Sequence, residues 1–113
     1  MKVEKIAGVT TGEIPALPAP NENAQGKDVA TANSGGNPLT LGMFRMSKGE
    51  ALPYSYAFDE FKVVLEGEIT VADDQGNSTD FVAGDVMKFG KDTNVTFSTK
   101  SSALMVYVAQ RDQ

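Results

Sequence analysis

The sequence lacks both cysteine and histidine. Without thiols or imidazoles, zinc fingers, iron–sulfur clusters, disulfides and catalytic sites built on cysteine or histidine are all excluded. Basic residues are also in the minority, since 15 acidic residues against 10 basic ones give a net charge of −5. Proteins that bind a phosphate backbone usually concentrate Lys and Arg on one face, so we expect no nucleic-acid partner.

Long apolar segments are absent as well. The first 20 residues contain no apolar run of the length that a signal peptide or a membrane span requires. We therefore expect a cytoplasmic protein with no membrane partner. The length of 113 residues suits one domain, and a domain of this size can fold without a disulfide or a structural metal.

The composition changes near residue 40. Within residues 1–39, one short strand is expected in 2–9, and the stretch 15–37 is rich in proline, glycine and small polar residues, which is typical of a long loop or arm. From residue 40 onward, short β-favouring runs recur about every ten residues. These runs are 40–46, 54–58, 61–66, 68–73, 79–82, 85–89, 94–98 and 103–109. No apolar repeat of helical period interrupts them, so residues 40–113 are predicted to form an all-β barrel or sandwich.

Two segments resemble the conserved motifs of the cupin superfamily. In the first motif, a glycine precedes His-x-His, a glutamate and a second glycine. Here Gly49, Tyr54-Ser55-Tyr56, Glu60 and Gly67 have that spacing, with tyrosines in place of both histidines. The resemblance implies a single-domain, RmlC-like jelly-roll β-barrel.

The second motif begins at Gly84 and departs from the family pattern. Gly90 occupies the usual proline slot, and Val95 occupies the slot of the third histidine. By resemblance, three of the four metal-ligand positions are therefore substituted. We expect neither a metal nor another cofactor.

Within the superfamily, Asp59-Glu60 followed by the run 64–68 is similar to the ethanolamine-utilisation EutQ group, which also lacks the usual histidines. That resemblance implies a connection with acetate kinase activity. The sequence has no glycine-rich phosphate loop ending in Lys-Ser or Lys-Thr, so its residues give phosphoryl transfer no independent support. Small cupins commonly pair through sheet edges, and the resemblance implies a homodimer.

The family orientation of Glu60 predicts a pocket inside the barrel. Alternate side chains of a barrel strand point inward, so Glu60 and Lys62 would share the interior face. Tyr54 and Tyr56, two residues apart on a facing strand, would point toward them. The remaining walls of this ligand-binding pocket are expected from Met87, Phe89, Val95 and Phe97.

Three functions suit such a pocket. The first is binding of a small polar or anionic metabolite. The second is a metal-independent isomerase or lyase in which Glu60 acts as base, Tyr54 or Tyr56 as acid, and Lys62 as an anchor for a substrate carboxylate or as an amine nucleophile. The third is a degenerate metalloenzyme with Glu60 and the tyrosines as ligands, although deprotonating each phenol costs about 4 kcal/mol at pH 7. A purely structural role is the alternative for all four residues: the tyrosines would fill the core, and Glu60 and Lys62 would form an internal ion pair.

Overall fold

The computed structural model describes residues 2–113, which form eight strands and no helix. The strands are β1 (Ala24–Ala32), β2 (Leu39–Ser47), β3 (Leu52–Ser55), β4 (Glu60–Asp73), β5 (Ser78–Val82), β6 (Val86–Phe89), β7 (Asn94–Ser98) and β8 (Ser102–Ala109). The prediction of an all-β domain is confirmed. Residues 2–113 contain no helix that is long and apolar enough to cross a membrane.

All strand pairs are antiparallel, and the strands follow the order β1-β2-β8-β4-β7-β3, with β5 and β6 both paired to β4. Strand β4 is the longest. Its first half pairs with β6 and β8, and its second half with β5 and β7. The sheet therefore curls along β4 and encloses the core.

Strand β4 merges two runs that the sequence separates, 61–66 and 68–73. Its pairing with β8 shifts register between Val64 and Glu66, and Gly67 follows with a φ of 80°. A side chain at Gly67 would collide with the backbone of Ser102. Glycine is required there because the strand bends tightly against β8, and a bulge of this kind bends a strand without ending it.

Strand β1 corrects the interpretation of residues 15–37 as a loop, which is wrong over Ala24–Ala32. This strand pairs with β2 from Ala24 opposite Met46 to Ala32 opposite Leu39, so it joins the same sheet although it lies before residue 40. Composition misses it because β1 stands at the end of the strand order. At an edge, backbone hydrogen bonds to one neighbour suffice and little apolar burial is needed.

The segment before β1 has no strand over residues 2–9, contrary to expectation. It is attached instead by a β-bridge between Ala16 and Gln25 and by apolar side chains, among them Leu17, which packs against the main core. Ile14 is 6% exposed and packs in a small cluster with Met43 and Leu104.

The barrel interior is set by alternation along the strands. In β4, Glu60, Lys62 and Val64 are buried, whereas Phe61 and Leu65 on the opposite face are 50% and 37% exposed. Most inward side chains of the other strands are apolar and form one continuous cluster. Two charged groups therefore enter a largely apolar interior.

Candidate functional site

A cavity of about 320 Å³ opens into the barrel from the side of β1, β3 and the C-terminal segment. Five of the residues predicted for the site line it: Tyr54, Tyr56, Glu60, Lys62 and Phe97. A volume near 300 Å³ lies at the small end of the range for ligand pockets. The cavity is therefore matched to a compact molecule.

The centre of the site is a chain of three buried polar groups. The Tyr56 hydroxyl donates to Oε2 of Glu60 at 2.5 Å, and Nζ of Lys62 donates to the same oxygen at 2.6 Å. The side chains of Glu60 and Lys62 are only 4% and 7% exposed. No group in residues 2–113 donates a hydrogen bond to Oε1 of Glu60, so this oxygen can accept one from a molecule in the cavity that Glu60 lines.

Lys62 is enclosed by aromatic rings as well as by its carboxylate partner. Its Nζ lies 4.7 Å from the ring centre of Tyr107, 5.1 Å from that of Phe44 and 5.7 Å from that of Phe97. Tyr107 stands directly opposite Lys62 in the pairing of β4 with β8. Burial lowers the pKa of Lys62, and the attraction of Glu60 only partly opposes this effect.

The two predicted tyrosines lie in different environments. Tyr56 follows the end of β3, where its amide donates to the carbonyl of Thr93 and its carbonyl accepts from the amide of Asp92, and its side chain is buried. Burial, and then the charge of Glu60, raises the pKa of Tyr56 far above its ordinary value. Tyr54 is 41% exposed, stands edge-on to Tyr56 with 4.7 Å between ring centres, and its hydroxyl bonds none of the residues 2–113. Tyr56 thus holds its proton inside the barrel, and Tyr54 presents a free hydroxyl at the rim.

A second charged pair forms the rim of the cavity. Arg111 binds the carboxylate of Asp28 through two nitrogens, at 2.8 and 2.9 Å, and the Tyr107 hydroxyl donates to the same carboxylate at 2.5 Å. The hydrogen bonds from Arg111 hold the pKa of Asp28 below its ordinary value. Tyr107 can reach across because it lies opposite Gly42 of β2, where a side chain would collide with its ring.

Sequence reasoning missed this rim. Asp28 lies in the segment interpreted as a loop, and Arg111 lies beyond the last predicted strand. Tyr107 belongs to a run so uniformly apolar that it indicated only a covered strand. The position of Tyr107 opposite Lys62 would have pointed to the rim, but predicting that position requires knowing that β8 is the neighbour of β4.

Three of the predicted pocket walls lie deeper than the cavity. Met87, Phe89 and Val95 are buried in the core and are not among the residues lining the cavity. Phe89 stacks on Tyr56, with ring centres 4.5 Å apart, and so supports the tyrosine from behind. Contact of these three residues with a ligand stays a prediction.

The donor atoms at the site do not fit a divalent metal. No three His, Cys, Asp or Glu side chains converge anywhere in residues 2–113. The one carboxylate in the barrel already accepts hydrogen bonds from a phenol and a lysine. Because Tyr56 retains its proton, it is a poor ligand, and a lysine 2.6 Å from Glu60 stands where a cation would have to bind.

Comparison with known proteins agrees with this architecture. The family described as ethanolamine utilisation protein EutQ matches residues 2–112. The chain belongs to the EutQ family. One curated relative is the acetate kinase EutQ of Escherichia coli strain K12, which is 34% identical over 82 residues, covering 73% of this chain. The chain spans only 34% of the length of that relative.

Solved structures show which fold this EutQ-family chain has. An ethanolamine utilization protein Q from Salmonella typhimurium LT2 superimposes with a TM-score of 0.68 at 30% identity, over 77% of this chain and 68% of that one. A cupin superfamily protein from Desulfitobacterium hafniense DCB-2 superimposes with a TM-score of 0.66 at 18% identity, over 85% of this chain and 84% of that one. The chain has the cupin fold.

Proposed function

We propose that this EutQ-family chain binds a small polar or anionic molecule in the cavity at the mouth of its barrel. The observation that carries the proposal is the combination of aromatic walls with buried polar groups that retain free hydrogen-bonding capacity. Aromatic rings from Phe44, Phe97 and Tyr107 provide apolar surface. Lys62 and Oε1 of Glu60 offer a donor and an acceptor, as expected of a site that fixes one orientation of its ligand.

The charges around the cavity favour an anionic group on the ligand. Three cationic side chains line it, those of Lys27, Lys62 and Arg111, against two anionic ones, Asp28 and Glu60. This local excess of positive charge contrasts with the net charge of −5 of the whole chain. A small carboxylate satisfies these conditions, and the name of the Escherichia coli relative makes acetate the first compound to test.

A thermal-shift screen tests the proposal. The panel contains acetate and other small carboxylates, each beside the neutral amide or alcohol of the same shape. A ligand present at about 100 times its dissociation constant adds about 2.7 kcal/mol to the free energy of unfolding, or roughly 10 °C at about 4 °C per kcal/mol. We expect at least one carboxylate to raise the Tm and its neutral counterpart to have a smaller effect.

Matched variants locate the binding site. Lys62→Met should abolish the shift, whereas Lys88→Met, which removes an exposed lysine from the outer face of β6, should retain it. Melting curves that stay flat across the panel, or a shift that survives Lys62→Met, would contradict binding at this site.

Proton transfer is a second candidate, and the hydrogen-bonded chain of Tyr56, Glu60 and Lys62 favours it. Glu60 lines the cavity and has one oxygen without a hydrogen bond, while its other oxygen contacts two proton-carrying groups. It is therefore placed to take a proton from a bound molecule and share it with its neighbours. Any metal-free isomerase or lyase activity should fall at least 100-fold in Glu60→Gln, and undiminished turnover would remove this candidate.

A further inference from the structure

Lys62 differs from every other lysine in its surroundings. The remaining seven lysines of the chain are all exposed: Lys2, Lys5, Lys27, Lys48, Lys88, Lys91 and Lys100. Lys62 is buried, yet it lines the cavity. A small molecule that enters the cavity can therefore reach its nitrogen.

The surroundings of Lys62 allow it to be an uncharged amine. Its only hydrogen-bond acceptor among residues 2–113 is Oε2 of Glu60, and its other neighbours are three aromatic rings. Transfer of one proton along the 2.6 Å hydrogen bond to Glu60 leaves a neutral amine beside a neutral carboxyl group. This exchange removes a separated charge pair from a medium of low dielectric constant. Burial also lowers the pKa of Lys62, which favours the same state.

We propose that Lys62 captures a small aldehyde or keto acid in the cavity as an imine, an activity that rests on the cavity binding proposed above. The lone pair of Nζ attacks the carbonyl carbon, and the carbonyl oxygen receives a proton from Glu60. The resulting carbinolamine has a protonated nitrogen next to the carboxylate that Glu60 has become. The nitrogen gives one proton to Glu60, which passes it to the hydroxyl, and the hydroxyl leaves as water. The C=O bond is thereby replaced by a C=N bond at the same oxidation level, and the products are a protonated imine and the Glu60 carboxylate.

Glu60 and Tyr56 have distinct parts in this step. Glu60 is the catalytic residue, because it contacts the reacting nitrogen and passes protons between nitrogen and oxygen. Tyr56 is a positioning residue, because its hydroxyl holds Oε2 of Glu60 at 2.5 Å and its own proton is firmly retained. The rings around Nζ form part of the wall of a cavity of about 320 Å³, which suits a compact carbonyl compound.

Reductive trapping on the native protein tests the inference. The full chain is treated at pH 7 with propanal or with pyruvate, each with sodium cyanoborohydride, which reduces iminium ions to stable amines. Adducts are then quantified lysine by lysine by peptide mass spectrometry over time. We expect Lys62 to be labelled at least 10-fold faster than Lys88, because the cavity holds the carbonyl compound beside Nζ and Glu60 supplies general acid–base catalysis, which typically contributes about 100-fold or more. In urea the two rates should become equal, which serves as a control that needs no mutation.

The outcomes separate this inference from the binding proposal. Labelling of Lys62 no faster than that of Lys88 in the folded protein would overturn the imine. If pyruvate raises the Tm but leaves no adduct on Lys62, the imine fails and binding stands. If no compound raises the Tm and Lys62 stays unlabelled, both fail. A larger ratio of the Lys62 rate to the Lys88 rate with propanal than with pyruvate would assign the site to aldehydes, and the reverse would assign it to keto acids.

Discussion

The buried pair of Glu60 and Lys62 makes the most direct prediction about stability. Lys62→Met keeps the length of the side chain and removes its charge, which leaves a carboxylate that is 4% exposed and bonded only to Tyr56. Removing one partner of a buried ion pair costs about 3–5 kcal/mol. We expect Lys62→Met to lose about 3 kcal/mol of stability, the lower end of this range, because the variant also removes the cost of burying the Lys62 amine.

The double variant Glu60→Gln/Lys62→Met tests whether the two buried groups are energetically coupled. It removes both charges, so no uncompensated ion is left in the core, and replacing both partners of a buried pair is often nearly neutral. We expect each single variant to lose about 3 kcal/mol and the double variant to lose about 1 kcal/mol. Urea unfolding followed by circular dichroism at pH 7 measures all three. Lys88→Met, on the exposed face, should stay within about 0.5 kcal/mol of the wild type.

The same pair gives a pH dependence with a definite sign. Because burial lowers the pKa of Lys62 in the folded state, the unfolded chain binds more protons than the folded one between the folded pKa and the unfolded value of about 10.4. Wild-type stability should therefore gain a positive contribution as the pH rises through that window, and Lys62→Met should lack it. A double variant that loses the sum of the two single losses, or identical pH slopes for wild type and Lys62→Met, would refute the coupling.

The charged rim of the cavity, the packing around Gly42 and the outer face of β4 each give a further prediction. Asp28→Asn should lower stability by about 1–3 kcal/mol at neutral pH, because a guanidinium loses its charged partner. Since the folded pKa of Asp28 is depressed, this difference from wild type should be present above about pH 4 and vanish as the pH falls through the folded value, as acid titrations of unfolding would measure. Gly42→Ala should displace the ring of Tyr107, because the new methyl group would overlap the atoms of that ring, and should lower the free energy of unfolding in urea by more than about 2 kcal/mol. Gly35→Ala, with open space around it, should lower the free energy of unfolding by less than about 1 kcal/mol. Equal losses in the two variants would disprove this packing. We propose that the chain forms a homodimer through the outer face of β4, where Phe61 is 50% exposed. Light scattering should give the mass of a dimer for the unaltered chain and half that mass for Phe61→Asp. A monomer mass for the unaltered chain would exclude the dimer.

The strands of the core show why part of the fold is legible in the sequence. Period-2 alternation in β4 specifies that Glu60, Lys62 and Val64 share one face, because successive side chains of a strand point to opposite sides. Turn residues bounded β5, β6 and β7 within about one residue of their observed limits. These features depend only on near neighbours along the chain.

Where sequence reasoning failed, the missing information was long-range. Strand β1 is held by its pairing with β2 rather than by apolar side chains, so its composition resembles a loop. The Asp28–Arg111 pair joins residues 83 positions apart and exists only because β1 and the C-terminal segment meet at the same end of the barrel.

The sequence by itself determined the all-β class, the shared face of Glu60 and Lys62, and the tyrosines at the positions of the histidines of typical cupins. Only the tertiary structure decided that Tyr56 is buried and Tyr54 half exposed, that three aromatic rings surround Nζ of Lys62, and that Met87, Phe89 and Val95 lie behind the cavity rather than on its surface. The physical reason is that alternation fixes which face of a strand a side chain occupies. Depth within the barrel depends on the curl of the sheet and on which strands become neighbours, and both are set by contacts between distant parts of the chain.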